Sequence, residues 1–89
     1  MKKADVNGKS NTCGKLINEH RRAKGWTQEQ LAAKFHTTFG RDMSNSAVSK
    51  IERGIQSVTE FELWGFAYIF AVPMEKLCEP LPIVNPLWE

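Results

Sequence analysis

Apolar residues in this chain recur three and four positions apart, and no stretch alternates apolar with polar residues over the length of a strand. The spacing predicts five helical segments. In the first, Leu16, Ile17, His20 and Ala23 form one stripe of a helix over residues 12–24, which Gly25 ends. His20 on that stripe reads as a partly buried packing residue, and Arg21 at its border needs a partner if it is covered. The second segment opens with the capping box Thr27-Gln28-Glu29-Gln30, with Trp26 and Leu31 placed as a hydrophobic staple. Leu31, Ala32, Phe35 and Phe39 form its inner stripe, Gly40 is its stop, and Arg41-Asp42 is a polar connector. The third has Ser44 as N-cap, Gly54 as C-cap, and Met43 with Val48 as staple. In the fourth, Thr59 pairs with Glu62 in a second box and Val58 with Leu63 in a staple. It contains Phe61, Leu63, Trp64, Phe66, Ala67, Ile69 and Phe70, apolar on most sides, which makes it the expected buried centre. Pro73 and the run Met74-Glu75-Lys76-Leu77 predict a short final helix.

The third segment carries the candidate chemistry. At 100° per residue, Ala47, Val48 and Ile51 share one face, and Ser46, Ser49, Lys50 and Arg53 share the opposite one. That second face has short hydroxyls, a neighbouring amide in Asn45, two cations and no acid. Small polar side chains permit close approach and the cations suit a polyanion, so the helix has the form of one that lies in a DNA major groove. The competing reading is a short solvated helix. Charge bears on the choice. The net charge is only +2, but residues 1–54 carry 11 Lys/Arg against five Asp/Glu, while residues 55–89 carry Lys76 against five Glu. The chain thus pairs a basic portion of +6 with an acidic one of −4, a distribution expected where one face meets nucleic acid.

With 89 residues the chain has room for one domain and one small core. Residues 1–11 lack periodicity and read as a flexible basic arm, either touching phosphates and the minor groove or simply a disordered end. Residues 12–79 hold the helices. Residues 80–89 include Pro80, Pro82 and Pro86 and read as a non-helical tail. Leu81, Ile83, Val84, Leu87 and Trp88 make it apolar enough to dock, on its own domain or on a second subunit. There is no apolar leader region and no run of membrane-spanning length, which points to the cytoplasm. Cys13 and Cys78 lack CxxC spacing and read as thiols of a reducing compartment. A zinc site from Cys13, His20, His36 and Cys78 has no pair with ligand spacing, so no metal or other cofactor is expected.

The start Thr27-Gln28-Glu29-Gln30-Leu31-Ala32 and the later Val48-Ser49-Lys50-Ile51-Glu52-Arg53-Gly54 resemble the lambda-repressor-like (XRE/Cro) helix-turn-helix family. Gly14, Ile17, Arg21, Gly25, Ser44, Ala67 and Leu77 extend the resemblance over residues 14–77. It implies an all-α, five-helix DNA-binding domain. Two features depart from the family pattern. The stretch between Ala32 and Ser44 is about six residues longer than in the shortest members, as in a subset with an extended connector between helices 2 and 3. His20 stands where an aliphatic residue is usual.

The resemblance also implies roles. Asn45, Ser46, Ser49 and Lys50 match the positions that meet base edges; Gln28, Ser44 and Arg53 match phosphate contacts; Arg21 and Glu52 match a structural ion pair. The expected partner is double-stranded DNA carrying a palindromic operator, bound by a homodimer through the helix over residues 45–53. No small-molecule effector is evident. The implied function is a transcriptional regulator, as a simple repressor, a restriction-modification controller or an antitoxin. A protein-interaction module on the same fold is the alternative from another class. No Ser, Cys or acid sits with a base and an orienting group in one motif, so the chain is read as a non-enzyme.

Overall fold

The computed structural model describes residues 13–78, which form four α-helices and a terminal 3₁₀ helix, with no strand among the described residues. The basic arm over 1–11 and the apolar tail over 80–89 lie outside the described residues. The helices are α1 (Gly14–Ala23), α2 (Gln28–Phe39), α3 (Asn45–Glu52) and α4 (Glu60–Phe70), followed by the 3₁₀ helix Met74–Leu77. The expected fifth helix is therefore a single tight turn.

Local chemistry sets most of the boundaries. Thr27 Oγ1 accepts from the Gln30 N–H at 3.0 Å, and Gln30 Oε1 accepts from the Thr27 N–H at 2.9 Å. Thr59 and Glu62 repeat the exchange at 3.1 and 2.9 Å. Both boxes stand where the sequence places them. Ser44 Oγ caps α3 by accepting from the Ala47 N–H at 2.9 Å. α1 has no side-chain cap and begins two residues later than its pattern predicts.

Helix exits follow one scheme. At the end of α3, Gly54 N–H donates to the Ile51 carbonyl and Ile55 N–H to that of Lys50, with Gly54 at φ 76°. This is a Schellman turn, so Gly54 sits one residue beyond the cap, Arg53. Gly25 ends α1 in the same way, and the turn brings Trp26 N–H back to the Arg21 carbonyl at 3.2 Å. Trp26 then stacks on Phe70 with centroids 6.1 Å apart. Ala23, expected on the inner stripe of α1, is exposed. At the end of α4 the left-handed position is held by Ala71, at φ 61°.

The core joins Ile17 of α1, Leu31, Ala32 and Phe35 of α2, Val48 and Ile51 of α3, Phe66, Ala67 and Phe70 of α4, and Leu77. His20 is half-buried and stacks on Phe70 at 5.5 Å, the packing role expected of it. α4 is not buried all round: Trp64 and Tyr68 remain 46% and 63% exposed. Phe35 of α2 packs on Phe66, and His20 of α1 and Trp26 pack on Phe70, one turn further along the same face. Among the described residues, the ring contacts that Trp64 and Tyr68 make outside α4 are with Phe39 of α2 alone. Gly65 allows the close approach of α2, since a Cβ there would stand 2.6 Å from Phe35 and 2.9 Å from Phe39.

Candidate nucleic-acid interface

α3 is divided lengthwise. Val48, Ile51 and Glu52 are buried, whereas Ser44, Asn45, Ser46, Lys50 and Arg53 are exposed and Ser49 is half-buried. The cap at Ser44 uses the Ala47 N–H, and the first turn has no preceding carbonyls within the helix, so the N–H groups of Asn45 and Ser46 look outward along the axis. Arg53 is tethered only loosely, its Nε donating to the Ser49 carbonyl at 3.4 Å.

The inward face is anchored by a carboxylate. Glu52 Oε2 accepts from Arg21 Nε at 2.7 Å, and Oε1 accepts from Arg21 Nη2 at 3.1 Å, Asn18 Nδ2 at 2.8 Å and Gln28 Nε2 at 3.0 Å. Arg21 Nη1 further donates to the Trp26 carbonyl at 2.6 Å. The side chains of Arg21 and Glu52 are 12% and 3% exposed. Burial by itself raises the Glu52 pKa. The hydrogen bonds from Arg21, Asn18 and Gln28, with the Arg21 charge, outweigh it and hold the carboxyl below its ordinary range. The acid of α3 is thus neutralised on the inner side, and the outer face keeps its cations. Gly14 lets α1 come close enough for this, because a Cβ there would collide with the carbonyls of Ile51 and Glu52.

Helix-turn-helix is the description of the family model that matches residues 17–77, more than half of the chain. The chain belongs to this family. Its lambda-repressor-like (XRE) branch is that of the resemblance, and the class it brings is that of a DNA-binding helix-turn-helix regulator. No curated protein and no solved structure matches the chain. In this helix-turn-helix domain α2 runs to Phe39, leaving residues 40–43 as the connector before the Ser44 cap. The ion pair implied by the resemblance, Arg21 with Glu52, is formed.

Two partners in that network were not legible in the sequence. Asn18 stands four residues after Gly14 and three before Arg21, which puts all three on one side of α1. A polar stripe beside the apolar one was the available signal. Gln28, placed by resemblance on phosphate, has its side-chain nitrogen turned to Glu52. Among the described residues no group of three or more His, Cys, Asp or Glu is arranged to hold a metal ion, and no helix is long and apolar enough to cross a membrane.

Proposed function

We propose that this domain is a sequence-specific transcriptional regulator, acting in the cytoplasm as a repressor, that places α3 in the major groove. The observation that carries this reading is the division of α3: one face locked inward by Glu52, the other exposing Asn45, Ser46, Lys50 and Arg53 with no acid among them. Asn45 suits the bidentate pairing with adenine, and Lys50 suits donation to guanine O6 and N7. Ser46 and Ser49 contact bases directly or through water. Ser44 and Arg53 flank them on phosphates.

Gln28 joins the backbone contacts in a specific way. Its amide nitrogen has two hydrogens; one serves Glu52, and the other is left for a phosphate beside the amino end of α2. The residue that steadies α3 would then also hold the duplex. One such module covers few base pairs, so the working form is a homodimer on a palindromic operator, its two copies of α3 about 34 Å apart. An antitoxin that represses its own promoter would use the same face.

Selection of bound duplexes from a random pool tests the reading. Enrichment of one two-fold-symmetric motif, with affinity falling steeply as salt rises, is expected. Binding without a preferred motif would overturn it. A second reading, a protein-interaction module, is favoured by the exposed Trp64 and Tyr68 of α4. It predicts no salt-dependent binding to any duplex.

A further inference from the structure

Cys13 and Cys78 are 65 residues apart in sequence, yet their Sγ atoms lie 3.2 Å from each other. Cys13 is buried at the start of α1, where its carbonyl accepts the Ile17 N–H at 2.9 Å. Cys78 is half-buried just after the 3₁₀ helix. At this distance one thiol hydrogen-bonds to the other, whereas a disulfide requires an S–S distance of about 2.05 Å. Both cysteines stand at helix termini, Cys13 before α1 and Cys78 after the 3₁₀ helix, so the gap of about 1 Å that a disulfide must close lies outside any helix interior.

From this juxtaposition we propose that Cys13 and Cys78 form a reversible dithiol–disulfide pair, a modification site that clasps the start of α1 to the end of the domain. The oxidant is a low-molecular-weight disulfide such as glutathione disulfide. The thiolate of one cysteine attacks a glutathione sulfur, the S–S bond of the oxidant breaks, and one glutathione thiolate leaves and takes up a proton. The second cysteine, having lost its proton, attacks the protein sulfur of the mixed disulfide and expels the second glutathione. Two protein thiols are oxidised by two electrons, and one disulfide is reduced to two thiols.

The clasp acts on stability. It closes a loop of the whole described domain, and constraining so long a loop removes many conformations from the unfolded chain. It also fixes the end of α1 that supports α3, since Gly14 follows Cys13 and packs on the carbonyls of Ile51 and Glu52. In a reducing compartment the pair rests as thiols, and oxidation converts the domain to a more persistent form.

The test uses the full chain equilibrated in buffers of varied reduced and oxidised glutathione, acid-quenched, alkylated and weighed by mass spectrometry. Folded protein should lose two hydrogens per monomer and gain no glutathione. In concentrated guanidinium the same conversion should need a glutathione ratio roughly 100- to 1,000-fold more oxidising, the factor by which native structure holds the thiols together. Oxidised protein should melt about 10–20 °C above reduced protein. The Cys13→Ser variant, which keeps the half-buried Cys78, should instead accumulate a single glutathione adduct. Mixed adducts or intermolecular disulfides in the folded wild type would overturn the proposal, as would equal oxidation of folded and unfolded chains.

Discussion

Arg21→Met should bring the domain close to unfolding at room temperature. The substitution keeps the apolar stem of the side chain but removes three donors: two to Glu52 and one to the Trp26 carbonyl. Glu52 is then a carboxylate 3% exposed, with Asn18 and Gln28 as its remaining donors. Breaking a buried pair from one side costs roughly 3–5 kcal/mol. A domain of this size is stable by about 3–10 kcal/mol in all, so the loss takes much of the total. Urea denaturation followed by tryptophan fluorescence and helical circular dichroism measures it, with Trp26 packed on Phe70 as a local reporter. Replacing both residues, as Arg21→Met with Glu52→Met, should recover much of the loss because no unpaired charge remains. If each single variant costs under about 1 kcal/mol and the double variant is additive, Arg21 and Glu52 do not act as a unit and the account of α3 anchoring fails.

Acid should weaken the same network: Glu52 has its pKa lowered by folding, so its stabilising contribution is full above the ordinary glutamate range and is lost as pH falls through the lower folded value. Glu52→Gln should therefore be less stable than wild type near neutrality and should converge on it in acid, as acid-range urea titrations would show; a constant difference would refute the assignment. Gly14→Ala places a methyl against the Ile51 carbonyl and 2.9 Å from that of Glu52, and should cost about 1–3 kcal/mol in thermal melts. An unchanged melting temperature would mean that α1 and α3 are not so closely packed. Ala71→Gly relieves the left-handed position at φ 61° and should gain about 0.5–1 kcal/mol despite the freer unfolded chain. A loss of stability on that change would refute the strain. Truncation after Pro80 should shift the proposed dimer toward monomer in sedimentation, and an unaltered dimer would remove the apolar segment from the interface.

Local signals made much of this fold legible. A capping box such as Thr27 with Gln30 is written within four residues and acts within four residues, so sequence alone places it. The same holds for the Ser44 cap and the glycine exits. Features that depend on which helix lies beside which were not available in that form. α4 is apolar around most of its circumference, and only the docking of α1 and α2 decides that Phe66 is covered while Tyr68 is not. The Arg21–Glu52 pair came from resemblance, and the amides of Asn18 and Gln28 that complete it came from neither pattern nor resemblance. The left-handed Ala71 carries no sequence mark at all, because alanine there looks like one more helical residue. The Cys13–Cys78 approach is invisible at a separation of 65 residues.

The central claim is that the exposed face of α3 reads base sequence while α2 grips the backbone. Competition binding between a selected duplex and a scrambled one, for wild type, Lys50→Ala and Gln28→Ala, tests it most directly. Lys50→Ala should lose about 1–3 kcal/mol on the selected duplex and little on the scrambled one. Gln28→Ala, measured at a temperature where its folding is verified, should weaken both duplexes by nearly the same factor, since phosphate contacts carry no sequence information. Equal losses on the two duplexes for Lys50→Ala, or a loss confined to the selected duplex for Gln28→Ala, would contradict the division of roles between α3 and α2.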